Sequence, residues 1–155
     1  KSELLNIFEG RFINIHLGLS PYYRGSGTNY WPLVNNEPEF VGTTFMYIDS
    51  GVDTGKIIHQ IRPEINLDDD VHSIGNKLII KSSDEIVKLI LAFDKLEDKL
   101  PLKFEKSKEK YYRKKDFSED SLKKLHFNFS NGMISEFIKN KESLYNKYPI
   151  LINNI

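Results

Sequence analysis

The segment Asn14-Ile15-His16-Leu17-Gly18-Leu19-Ser20-Pro21-Tyr22-Tyr23-Arg24-Gly25 joins the end of an apolar run to a loop rich in glycine and proline. Phe12 to His16 predicts a short strand. Ile13 and Ile15 point to one side of it, and Phe12, Asn14 and His16 to the other. An amide and an imidazole therefore leave one face at the strand's end. From Leu17 to Asn36, Gly18, Pro21, Gly25, Gly27 and Pro32 mark a loop. Such a loop lets a ligand approach the backbone. A helical turn is expected at 29–34, where Trp31 and Leu33 need burial.

Outward from this segment the elements are short. Val41 to Ile48 predicts a second strand, Asp49 to Gly55 a tight turn, and Lys56 to Ile65 a third strand with Ile57, His59 and Ile61 on one face. Asp68, Asp69 and Asp70 offer an N-cap and favourable charge for a helix over 71–96. Its inward face runs through Val71, Ile74, Leu78, Ser82, Ile86, Leu89, Phe93 and Leu96, and it ends before Pro101. Upstream, Leu4, Leu5 and Phe8 predict a short helix closed by Gly10, and the chain starts as if in mid-protein. Downstream, a charged segment containing Tyr111 and Tyr112 runs to about Asp116. Ser118 starts a helix with Leu122 and Leu125 facing in. Gly132 starts or breaks a last one carrying Met133, Ile134, Phe137 and Ile138. The tail 149–155 is apolar and rich in asparagine.

The 155 residues carry zero formal net charge, with 39% hydrophobic and 28% charged side chains. That is ordinary for one soluble globular unit able to bury a core. No apolar run is long enough to cross a bilayer, so no membrane role is expected. The absence of cysteine excludes disulfides, thiolate metal sites and cysteine nucleophiles. A cytoplasmic setting is expected. Residues 101–155 hold twelve basic against seven acidic side chains. Acidic residues are interspersed among the lysines, so this is read as a solvated face and nucleic acid is not expected as a partner. His59, His72 and His126 have no ligand-like neighbours, and no metal is expected.

Asp53 lies on the turn after the second strand. If the first two strands share a sheet, this turn and the loop after His16 can lie at one edge, and Asn14, His16 and Asp53 converge. In open α/β sheets ligands bind at the carboxyl ends of strands. The three groups suit acyl transfer to an amine. Asn14, and His16 if protonated, can donate hydrogen bonds to an oxyanion. Asp53 can hold the imidazole and help take a proton from the attacking amine. No serine or cysteine nucleophile is then required. On spacing alone a second reading stays open: a strand-end histidine is commonly structural, and Asp-Thr-Gly is a common turn.

The segment 14–25 resembles the Asn-x-His-x-x-x-x-Pro-x-Tyr-Arg-Gly signature of the folate-dependent formyltransferases. Val41-Gly42-Thr43-Thr44 is similar to that family's Gly-Val-Thr strand. Asp49 to Ile58 is similar to its Asp-x-Gly-x-Asp-Thr-Gly-x-Ile turn. Order and spacing agree over about residues 10–96. Leu17 and Gly18 depart from the family's usual proline and serine, in the loop on the acceptor side.

The resemblance implies an α/β fold, the later half of a formyltransferase-type open sheet flanked by helices. It implies a partial catalytic domain over 1–100, followed by a basic, mainly helical C-terminal appendage over 101–155. The implied reaction moves a formyl group from 10-formyltetrahydrofolate, as co-substrate, to a primary amine of a small molecule. A nucleotide-linked amino sugar is favoured. Methionyl-tRNA formyltransferase-like activity, hydrolysis of the same donor, and an inactive fragment or binding module are the alternatives. The family's catalytic residues fall on Asn14, His16 and Asp53. Val52, Thr54 and Gly55 would wall the pterin pocket. Gly18, Tyr23 and Arg24 are the candidate acceptor-binding residues, although the Arg-Gly pair serves mainly loop structure in the family. By this resemblance the family's N-terminal half is expected to lie outside these 155 residues. That half is the expected partner, with self-association as the other way to cover the exposed apolar edge near Phe8, Phe12 and Ile13. The 155-residue chain alone is expected to be inactive.

Overall fold

The computed structural model describes residues 2–8, 10–97 and 106–154. The expected helix stop at Pro101, the start of the basic stretch at Lys103, and the two chain ends Lys1 and Ile155 lie outside these residues. A short helix α1 (Ser2–Ile7) leads into β1 (Ile13–His16). Strand β2 (Tyr23–Gly25), helix α2 (Tyr30–Val34) and a 3-10 turn at Pro38–Phe40 follow. Then come β3 (Thr43–Tyr47), β4 (Ile57–Ile61) and the long helix α3 (Val71–Leu91). The C-terminal part holds β5 (Lys110–Tyr112), α4 (Glu119–Ser130) and α5 (Met133–Lys147).

Strands β1, β3 and β4 form one antiparallel sheet in the order β1-β3-β4. Ile13 stands opposite Tyr47 and His16 opposite Thr44. β3 is buried along almost its whole length, with Thr43, Thr44, Phe45 and Met46 each at 0–1% exposure. A residue at Gly42 with a Cβ would strike Leu19 and the Ile61 carbonyl at 2.6 Å, so the loop after β1 lies hard against this strand. The third strand stops at Ile61 rather than Ile65, just before Pro63, which has no N–H for a ladder.

α3 covers one face of the sheet. Asp70 caps it: the carboxylate accepts the Ser73 N–H at 2.7 Å, and Ser73 Oγ accepts the Asp70 N–H at 2.8 Å. Ile74, Leu78, Ser82 and Leu89 are buried, and the Ser82 hydroxyl bonds that of Thr43 at 2.8 Å. Those four belong to the expected face, and its other members are partly buried. The helix ends at Leu91, five residues early, and passes into a 3-10 turn at Phe93–Lys95.

The larger departure from the sequence reading is a second sheet. β2 and β5 pair in parallel, with Tyr23 opposite Lys110 and Gly25 opposite Tyr112. Three-residue strands carry too little periodicity to be read from the chain. Around them Trp31 stacks on Tyr112 at 4.1 Å between centroids, and Asn35 donates to the hydroxyls of both Tyr23 and Tyr112. α4 packs on α2, where Asn128 donates to the carbonyls of Leu33 and Val34. Leu125 faces in as expected. Leu122 does not, being 39% exposed, because Ser121 takes the inward place and bonds the Tyr30 hydroxyl. Gly132, at φ +80°, joins α4 to α5 in the left-handed conformation that suits glycine. α5 then buries Met133, Ile134 and Phe137.

The tail after α5 returns to the sheet and covers His59. The Asn153 N–H donates to His59 Nδ1 at 2.9 Å, and Nε2 stands 3.5 Å from Glu85. Burial pushes the imidazole pKa below its ordinary 6.5, opposed by Glu85 and assisted by Lys88 and Lys81. The unfolded chain therefore takes up this proton first. Its contribution to stability is complete above about pH 6.5 and declines as pH falls toward the folded value. Urea unfolding at about pH 7.5 and about pH 5.5 tests this, with wild type expected to lose more stability than His59→Asn over that interval.

Candidate active site

β1 delivers Asn14 and His16 from one face, as period two requires. The antiparallel pairing of β1 with β3 changes how Asp53 arrives. β3 ends beside Ile13, at the opposite end of β1 from His16. The turn does not simply share a sheet edge with the loop after His16. It folds back over the sheet, and Asp53 reaches the site from there at φ +52°, a left-handed conformation that aspartate tolerates better than most residues. Asp49 closes the turn internally, accepting the Gly51 N–H at 2.9 Å and the Thr54 hydroxyl at 2.8 Å. At Gly55 the chain passes so close to the Tyr47 carbonyl that no Cβ fits.

Asp53 is the meeting point. Its Oδ1 lies 3.3 Å from Asn14 Nδ2 and 3.3 Å from His16 Nδ1. Its Oδ2 accepts the Gly25 backbone N–H at 3.0 Å. The His16 ring is 6% exposed, and Nε2 donates to the Tyr23 carbonyl at 2.9 Å. The acceptor at Nε2 is a carbonyl, so that nitrogen carries a proton. Gly18 packs directly on this ring: a Cβ there would meet Nε2 and Thr28 at 2.6 Å.

Two cavities flank the carboxylate. One of about 480 Å³ is lined by Asn14, His16, Gly25, Gly27, Tyr30 and Ile79. The other, of about 260 Å³, is lined by Asn14, Met46, Val52, Asp53, Thr54 and Gly55. Asn14 and Asp53 belong to both walls. A larger cavity of about 820 Å³ lies elsewhere, between β4, α3 and the tail.

The structure thus brings Asn14, His16 and Asp53 together, and it sets Val52, Thr54 and Gly55 around one cavity. The Thr54 hydroxyl is already held by Asp49. The acceptor-side residues fall differently. The Tyr23 ring is fully buried, and its hydroxyl donates to Glu37. Burial, with that hydrogen bond second, pushes its pKa far up, so it stays a neutral donor in the core. Tyr23 enters the site by its carbonyl. The Arg24 guanidinium pairs with Glu109 and reaches the Val52 carbonyl at 3.4 Å. Gly18 supports the imidazole and is not among the cavity's lining. Sequence reasoning missed the Gly25 amide and the Tyr23 carbonyl. Both belong to β2, which forms only against β5.

A family profile described as formyl transferase matches residues 1–90. A methionyl-tRNA formyltransferase of Clostridium tetani is 30% identical over 150 residues, covering 96% of this chain and 45% of that protein. Among solved structures, the formyltransferase PseJ from Anoxybacillus kamchatkensis superposes with a TM-score of 0.64 and 25% identity, covering 75% of this chain and 59% of the other. That protein was solved with UDP-4,6-dideoxy-4-formamido-L-AltNAc and tetrahydrofolate. An N-formyltransferase from Helicobacter canadensis, solved with folinic acid and dTDP-3-aminofucose, gives a TM-score of 0.59 and 28% identity over 70% of this chain and 40% of its own. The chain belongs to the formyl transferase family. It spans less than half the length of the curated relatives it matches.

Gly25 ties the site to the second sheet. It sits at φ +92°, and any Cβ would overlap the Tyr112 carbonyl oxygen. Gly25→Ala is expected to destabilise the fold by at least about 3 kcal/mol, measured by denaturant unfolding. A change below about 0.5 kcal/mol would show that β2 and β5 can separate at no cost.

Proposed function

We propose that this chain carries the reacting centre for formyl transfer from 10-formyltetrahydrofolate to a primary amine, in a nucleotide-linked amino sugar or a similar small molecule. The carrying observation is the Asp53 carboxylate, within 3.3 Å of both Asn14 and His16 and placed between two cavities. The smaller cavity, walled by Val52, Thr54 and Gly55, takes the pterin end of the donor. The larger takes the amine. Gly25 and Gly27 on its wall let an acceptor approach the backbone.

The amine nitrogen attacks the formyl carbon, and the C–N bond forms as the carbonyl oxygen gains charge. Asn14 spends one Nδ2 hydrogen on Asp53 and has a second for that oxygen. Both nitrogens of His16 face acceptors already, so its role is to hold Asp53 rather than to bind the oxyanion directly. Asp53 accepts the proton that the amine must lose. Cleavage of the bond between the formyl carbon and N10, with a proton to N10, releases tetrahydrofolate and the formamide. Asp53→Asn keeps the shape but removes the acceptor. In the intact protein containing this chain it is expected to lower turnover about a hundredfold or more while donor affinity stays within a few-fold. Equal turnover would remove Asp53 from the reaction.

Relatives more than twice as long, and the pairing of β1 on one side only among the described residues, support a division of labour. Residues 1–100 act as part of a catalytic domain, 101–155 as an extension packed on it, and a preceding half supplies the neighbour of β1. Phe8 and Phe12, at 43% and 36% exposure, and Ile15 and Leu17 beyond them, mark the surface that half would cover. The 155-residue chain alone is therefore expected to show no formyl transfer with a panel of amino-sugar nucleotides, and to self-associate when its mass is measured in solution. Efficient transfer by a monomer would overturn this.

The second reading takes methionyl-tRNA as acceptor. It is favoured by the Clostridium tetani relative, whose alignment runs through the basic C-terminal part. There Lys114, Lys115, Lys123 and Lys124 are all exposed. Charging the same amine panel with methionyl-tRNA separates the two.

A further inference from the structure

A buried polar network underlies the loop that packs on His16. Gln60 of β4 is 2% exposed, Thr44 of β3 is 0% and Ser20 is 3%. Gln60 Nε2 donates to the Ser20 carbonyl at 2.7 Å and to Thr44 Oγ1 at 3.0 Å. Thr44 Oγ1 accepts the Ser20 N–H at 3.0 Å and donates to the Gly18 carbonyl at 2.7 Å. Both hydrogens of the Gln60 amide nitrogen and the single hydrogen of the Thr44 hydroxyl are thus used. The loop between β1 and β2 is gripped at Gly18 and Ser20 by two side chains of the sheet.

That loop is what orients His16. Gly18 packs on the ring, and the Tyr23 N–H donates to the Leu19 carbonyl at 3.0 Å. This bond sets the peptide whose next carbonyl, on Tyr23, holds His16 Nε2. The other end of the network is fixed by the chain's own tail. Leu151 N–H donates to Gln60 Oε1 at 3.1 Å, and the Leu151 carbonyl accepts the Gln60 backbone N–H at 2.7 Å. With the oxygen of the amide committed to Leu151, its nitrogen can only face Ser20 and Thr44. The tail therefore chooses the orientation of Gln60. A flipped amide would set its oxygen against the Ser20 carbonyl, two acceptors without a proton in the interior.

We infer that Gln60, locked by Leu151 of the C-terminal tail, is a positioning residue for His16, acting through Thr44 and the loop Gly18–Tyr23. Its effect on rate rests on the formyl-transfer reading above; its effect on the imidazole does not. His16 in turn holds Asp53, so a displacement of the ring by a fraction of an ångström is expected to reach the rate far more than binding.

The test uses Gln60→Met, which removes the donors at similar volume without adding charge, and the pair Thr44→Val and Thr44→Ser. The first readout is the nitrogen-15 spectrum of the His16 ring, where Nε2–H bonded to Tyr23 gives a proton protected from exchange. Gln60→Met and Thr44→Val are expected to shift the ring nitrogens and speed that exchange at least about tenfold, whereas Thr44→Ser retains the wild-type signal. The second readout, in the intact protein, is an about ten- to hundredfold fall in kcat with KM for the donor within about threefold. Folded variants whose His16 signal matches wild type overturn the proposal, whatever their thermal stability. If Gln60→Met does not fold, Thr44→Val against Thr44→Ser decides on the same signal. A wild-type protein that transfers no formyl group overturns the functional reading, and the imidazole spectrum still decides this one.

Discussion

The carboxylate of Asp53 is the constraint on which the rest of this structure depends. It gathers a side-chain amide from β1, an imidazole from the end of β1 and a backbone N–H from β2. To place it there, the hairpin between β3 and β4 bends back over its own sheet, with one residue in the left-handed region and glycine where two peptides nearly touch. Its two oxygens are thereby fixed between two cavities, with Asn14 on the wall of both. Much of the surrounding polar structure reads as the scaffolding of this one group.

Some of this was legible in the amino-acid sequence and some was not, for reasons that can be named. Asn14 and His16 share a face because strand geometry alternates, and that needs no partner. The cap at Asp70 and the face through Ile74, Leu78, Ser82 and Leu89 follow from local spacing in the same way. Asp53 was identified rightly as converging with them, but for an incomplete reason: the antiparallel register puts its turn at the far end of β1. Only the folded-back loop corrects for that. Tyr23 shows the opposite failure. An aromatic residue beside a reactive loop looks like a ligand platform, yet Glu37 and Asn35 give its hydroxyl buried partners and the ring joins the core.

β2 and β5 were invisible because neither has an identity without the other. Each is three residues long, and they meet across most of the chain. The basic segment that contains β5 looked like a solvated appendage. It holds Lys110 against Glu37, Glu109 against Arg24, and Tyr112 between Trp31 and Tyr23. The exposed lysines of α4 still fit the first description; the strand before them does not.

The pairing of β2 with β5 also sets an order of events during synthesis. The Gly25 amide that holds Asp53 is fixed in a strand whose partner residues are made 87 positions later, and contacts of such separation form slowly. While a ribosome has delivered only β1 to α3, the antiparallel sheet can close and α3 can dock. The loop carrying Gly25 then has no neighbour. Segments of a growing chain that wait for a distant strand are the ones exposed to proteases and to premature association. The cluster around Asp53 is therefore among the last features of this chain to mature, and no nascent chain that ends before Tyr112 holds it complete.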